Sequence, residues 1–90
     1  MSTIICRVVS QTEPGFVNSQ KNGQMAKCYI RLKELGGPGS PEYTAAVLGN
    51  LAEVRFQKDE VVATVLKFRM FESNGNAYQD VTATDIVRLG

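Results

Sequence analysis

Asn74-Gly75 divides the last third of the chain into two long runs, and this dipeptide constrains the fold more than any other feature. Asn-Gly is the favoured pair for a two-residue type I′ turn, in which both central residues need positive φ. The flanking runs, Glu60 to Ser73 and Asn76 to Leu89, are rich in β-branched and aromatic residues and read as strands. So short a turn fixes the register: Ser73 faces Asn76, Phe71 faces Tyr78, Arg69 faces Asp80 and Lys67 faces Thr82. On the other side Phe68 faces Val81 and Leu66 faces Ala83. Apolar pairs and polar or aromatic pairs separate onto opposite faces, and a slip of one residue would mix them. Arg69 beside Asp80 reads as a surface ion pair, which leaves Lys67 the freer cation.

The same division recurs upstream. Along Ala26-Lys27-Cys28-Tyr29-Ile30-Arg31-Leu32-Lys33 the side chains of a strand point alternately to opposite faces. One face carries Ala26, Cys28, Ile30 and Leu32, and the other Lys27, Tyr29, Arg31 and Lys33. Leu66-Lys67-Phe68-Arg69-Met70-Phe71 divides likewise, with Lys67, Arg69 and Phe71 on the polar side. A merely solvated sheet face is one reading. Cations mixed with flat rings also suit a polyanion with stackable bases, namely single-stranded nucleic acid. Phe71 and Tyr78 read either as a stabilising cross-strand pair or as a stacking platform. Tyr43 alternates with Ala45 and Val47 and reads as core, as do Met25 and Met70.

The remaining elements follow from local signals. Thr3 to Val9 is a strand candidate. Ser10 to Gln24 reads as a long polar loop with turn signals at Pro14-Gly15 and Asn22-Gly23, anchored by Phe16 and Val17. Met25 to Lys33 is the second strand. Glu34 to Pro41, with three glycines and two prolines, is a loop, and no P-loop lysine follows it. Glu42 to Leu48 is the third strand. Asn50 as N-cap with Glu53 three residues on predicts a short helix over Leu51 to Phe56, with Arg55 and Lys58 as solvated charge. The order strand, strand, strand, helix, strand, strand is that of an all-β OB-fold, a five-stranded Greek-key barrel with a short helix between strands 3 and 4. Ninety residues make a single domain, 1–90, and 43% apolar content suffices for its core.

Composition narrows the chemistry. The chain has no histidine and two cysteines, Cys6 and Cys28, so it cannot supply the four Cys/His ligands of a structural zinc site. Both cysteines read as small reduced core residues on adjacent strands, with a disulfide as the other reading. Without histidine, and without a nucleophile elbow, P-loop or dinucleotide fingerprint, the expectation is a non-enzyme with no cofactor and no metal. No apolar run approaches a membrane span, and the N-terminus lacks a secretory pattern; the default is a cytoplasmic protein with no membrane partner. Ten Lys/Arg against nine Asp/Glu give a net charge of +1. Any nucleic-acid binding must therefore come from where the charges sit, since their sum is small.

From about Tyr43 onward the chain resembles the bacterial single-stranded DNA-binding protein family. The resemblance is carried by Gln57-Lys58-Asp59-Glu60-Val61-Val62-Ala63-Thr64-Val65-Leu66-Lys67 and by Asn74-Gly75-Asn76-Ala77-Tyr78-Gln79-Asp80-Val81-Thr82-Ala83-Thr84-Asp85-Ile86. It covers about half the chain. The chain has no tryptophan, and it ends at Gly90, just past the last strand, where the family continues into a tail. The resemblance thus implies a short tailless relative, of the kind of primosomal replication protein B or of phage and mobile-element members. It further implies sequence-tolerant single-stranded DNA binding in replication, repair or recombination, a homo-oligomer, and replication proteins as partners. The expected contacts are Lys27, Tyr29, Arg31, Lys33, Lys67, Arg69, Phe71 and Tyr78. A protein-interaction or assembly module without nucleic-acid affinity, and a barrel for oligosaccharides or small ligands, remain open readings.

Overall fold

The computed structural model describes residues 3–19 and 23–89. Six strands and one helical turn follow in the order β1 (Thr3–Gln11), β2 (Gly15–Ser19), β3 (Gly23–Glu34), β4 (Glu42–Leu48), α1 (Asn50–Glu53), β5 (Val61–Ser73) and β6 (Asn76–Arg88). β1, β5, β6, β4 and β3 close into a ring, because β1 pairs with both β5 and β3. Every pairing around the ring is antiparallel except β4 with β6, which meet in parallel at Ala46 and Thr82. β2 lies outside the ring, on the same edge of β3 as β1.

The last hairpin has the expected register throughout its outer half, from Leu66 opposite Ala83 to Ser73 opposite Asn76. Its turn has φ of 54° at Asn74 and 81° at Gly75, the left-handed geometry that the strand twist requires. A shift between Val65 and Leu66 divides the hairpin, and the ring takes in the inner half together with the first pairs beyond the shift, since Ala46 of β4 meets Thr82 there. Beyond Leu66 every β5 residue is exposed, so the hairpin projects from the body. Met70 is therefore 74% exposed and not core; the strand has run past the residues that could cover it.

The core fills the inside of the ring with the alternate residues Cys6 and Val8 of β1, Ala26, Cys28, Ile30 and Leu32 of β3, Ala45 and Val47 of β4, and Val62 and Leu66 of β5. Tyr43 packs against this cluster, and its hydroxyl donates to Glu34 Oε2 at 2.6 Å. Both cysteines are free and buried. Burial, with the Glu34 carboxylate adding to it, pushes the Cys6 thiol from 9.0 up to about 11. The folded state thus holds this proton more tightly than the unfolded chain. That contribution is complete below about pH 9 and is lost as pH rises through 11. Both thiols are expected to react with a thiol reagent only as fast as the protein opens; immediate labelling of the native protein would contradict their placement.

Two expectations are corrected. The stretch Ser10 to Gln24 is not a loop: β1 runs on to Gln11, Gly15–Ser19 is a strand and β3 begins at Gly23. Phe16 pairs with Ala26 and Val17 with Met25, yet the Phe16 ring is 67% exposed and anchors nothing. Asn22 lies outside the described residues. The helix is one turn, Asn50–Glu53, preceded by Gly49 and without a side-chain cap. It ends early because the following segment docks on the end of β1. Gln11 Nε2 donates to the Val54 carbonyl and the Phe56 N–H donates to Gln11 Oε1, each at 2.9 Å. Arg55 also takes part, donating to the carbonyls of Thr12 (2.9 Å) and Ala52 (2.6 Å), so it is an anchor as well as a surface charge.

Candidate nucleic-acid interface

Strand pairing links the outward, polar faces of β3 and β5 through β4 and β6, around the curved wall of the ring. Tyr29 lies opposite Ala46 of β4, Ala46 opposite Thr82 of β6, and Thr82 opposite Lys67 of β5. Laterally paired residues project to the same face, so these four form a row across four strands of the ring's outer surface. At about 4.8 Å per strand the row spans about 14 Å. Its ends are a ring and a cation, and its middle is a small floor of alanine and threonine. On either side of the row Lys27 lies opposite Leu48 and Arg31 opposite Thr44.

Tyr29 is held through its backbone, whose N–H donates to Thr12 Oγ1 and whose carbonyl accepts from the Thr12 N–H, each at 2.9 Å. Its ring is 46% exposed. Lys27 Nζ sits 5.2 Å from the ring centroid, a cation–π contact. A hollow of about 410 Å³ opens beside the ring, lined by Thr12, Glu13, Gly15, Val17 and Lys27 among others. A second, of about 290 Å³, lies over Leu48, Lys67, Arg69, Asp80, Thr82 and Thr84. A third, of about 380 Å³ between Phe16 and α1, has Glu53 as its only charged lining residue among the described ones.

The ion pairing differs from expectation. Arg69 lies opposite Asp80 in the register, but among the described residues no ion pair joins them within 4.0 Å. Of the expected contact residues, Arg31 is the one in an ion pair among the described residues, its Nε lying 3.7 Å from Glu42 Oε1. That contact is exposed on both sides and so weak. β3 and β5 together place five cations on this surface (Lys27, Arg31, Lys33, Lys67 and Arg69), whereas β4 and β6 bring two carboxylates opposite them, Glu42 and Asp80. Asp85 of β6, opposite Val65, and Glu13 beside the Tyr29 hollow add two more carboxylates, so the cations hold only a small excess on this surface.

Phe71 and Tyr78 stand apart from this row, at the outer end of the projecting hairpin. Their rings stack on each other with centroids 5.5 Å apart and planes inclined by 28°. They are 48% and 46% exposed. Phe68, on the opposite face of the hairpin, meets Tyr43 edge-on at 5.9 Å.

Sequence reasoning found both ends of the row and missed its middle. Ala46 and Thr82 carry no charge or ring, yet they join β3 to β5. Their signal lay in the unused half of an alternation already noticed: if Tyr43, Ala45 and Val47 point inward, then Thr44, Ala46 and Leu48 point outward. Gly15 and Val17 were hidden within what read as a polar loop. No protein-family model matches the chain, and no curated protein matches it significantly.

Proposed function

We propose that this chain is an OB-fold barrel of Greek-key form that binds single-stranded DNA with little sequence preference. The fold reading is supported by the ring of five strands and by α1, which falls between the third and fourth ring strands in chain order. The functional reading is carried by one observation, the row from Tyr29 across Ala46 and Thr82 to Lys67. A base stacks on the face of Tyr29 that Lys27 leaves open, and Phe71 and Tyr78 offer a second stacking surface. Lys27, Arg31, Lys33, Lys67 and Arg69 track the phosphates. The chain does no chemistry on its ligand; it is a cytoplasmic, non-membrane protein of replication, repair or recombination. Homo-oligomerisation, with replication proteins as further partners, belongs to the same reading, since the outer edge of β2 is a place for strand pairing.

The test is titration with dT oligomers at two salt concentrations. Affinity falls as salt rises, with a log–log slope of about −0.7 per phosphate neutralised. Lys67→Ala weakens binding and makes that slope shallower by about 0.7, because it removes one such contact. Absence of binding to dT at low salt would overturn the proposal and leave the interaction-module reading. Binding that ignores salt would favour an uncharged ligand such as an oligosaccharide.

A further inference from the structure

β1 adds a cation of its own to the outer surface. Arg7 lies directly opposite Lys33 of β3 in the antiparallel register. Residues so placed hold their Cβ atoms about 5 Å apart, and like charges there destabilise a sheet. A carboxylate in contact would relieve the repulsion, and among the described residues neither cation has one. Glu42 faces Lys33 from β4, but its carboxylate leans toward Arg31, 3.7 Å away. Among the described residues no carboxylate oxygen lies within 4.0 Å of either Arg7 or Lys33. Glu34, next in the chain, turns inward to accept the Tyr43 hydroxyl. What Arg7 does have is a neutral acceptor: its Nη1 donates to the Asp59 carbonyl at 3.2 Å. That bond orients the guanidinium and leaves its charge unbalanced. Both cations border a hollow of about 390 Å³ whose other walls are Leu35, Gly36 and Gly37. The two glycines leave that wall bare of side chains, and Leu35, half exposed, offers an apolar surface beside it.

We infer that Arg7 and Lys33 clasp one phosphodiester of the bound strand, so that the ligand runs from Tyr29 and Arg31 along β3 and crosses onto β1. This rests on the single-stranded DNA reading of the β3 face. The phosphate oxygens accept from both cations, and the negative charge removes the repulsion that the empty sheet tolerates. Leu35 lies against the sugar, where a polar side chain would compete for the phosphate.

The double variant Arg7→Gln, Lys33→Gln tests the inference in two ways. The first uses no DNA. Sodium pyrophosphate, against sodium chloride at matched ionic strength, is expected to raise the melting temperature of the wild type and not that of the variant. The melting temperature of each protein in chloride alone is its own baseline, since the variant loses the Arg7–Asp59 bond together with the opposed charges; a pyrophosphate shift of equal size in the two proteins would overturn the clasp. The second arm is dT titration, where the variant's log–log salt slope is expected to be shallower by about 0.7 and where Arg7→Gln alone, which leaves every cation of the β3 face in place, also weakens binding. An affinity of Arg7→Gln equal to that of the wild type, in a protein that does bind dT, overturns the clasp and leaves the β3 face standing. If the wild type binds no dT, the single-stranded DNA reading fails. The pyrophosphate arm then decides the anion site by itself, and equal responses of the two proteins overturn it.

Discussion

Tyr29→Ala is expected to lower affinity for a dT oligomer by about 5- to 150-fold, while the protein remains folded. The factor follows from the about 1–3 kcal/mol that one aromatic platform contributes to a stacked base. The fold is spared because the ring points outward and is 46% exposed. The backbone bonds between Tyr29 and Thr12 come from main-chain groups and the Thr12 hydroxyl, so they survive the substitution. Stability is expected to change by no more than about 1 kcal/mol. Fluorescence or mobility titration gives the affinity, and urea unfolding gives the stability. An affinity within twofold of wild type would remove Tyr29 from the interface. Tyr29→Phe is expected to keep most of the binding, since it keeps the ring.

Ile30→Ala, one residue further along β3, has the opposite outcome. Ile30 is fully buried and packs in the cluster with Cys6, Val8, Leu32 and Val47. Truncating an isoleucine in such a site costs about 2–5 kcal/mol, partly in lost transfer energy and partly in the cavity left behind. Domains of this size have only about 5–15 kcal/mol in all. Urea unfolding is expected to show a much lower midpoint with the denaturant slope little changed. Any loss of DNA affinity should track the unfolded fraction and vanish when that fraction is allowed for. Neighbouring residues of one strand thus separate binding from folding, as the alternation of faces requires. A midpoint shift smaller than that of Tyr29→Ala would mean that the face assignment of β3 is inverted.

The parts of the fold that could be read from sequence were those with a local signal that nothing distant overrides. Asn74-Gly75 dictated its turn, and the turn dictated every pairing of the projecting hairpin. Glu42–Leu48 kept its bounds because Pro41 and Gly49 punctuate both ends. β2 was missed because Phe16 and Val17 are adjacent rather than alternating, and Pro14-Gly15 beside them signals a turn; the backbone pairing with Ala26 and Met25 leaves no mark on periodicity. The helix was overextended because the capping signal at Asn50 and Glu53 is local, whereas the stop comes from Gln11, some forty residues upstream. In the site, the two charged faces were legible and their junction was not. That junction depends on the parallel meeting of Ala46 with Thr82, between strands distant in the chain and joined by no hairpin. The Arg31–Glu42 contact was invisible for a related reason: the seven-residue loop between β3 and β4 does not fix their register as a two-residue turn would.

The same meeting point has a mechanical consequence. A closed ring is only as tight as its loosest joint, and here that joint is the contact of β4 with β6, where a single residue pair stands in register against five or more at each of the others. The body is expected to breathe by parting there first. Anything laid from Tyr29 to Lys67 would cross that joint, so a ligand gripping both sides would tighten the whole ring, and a wall that swings open would loosen the ligand's hold.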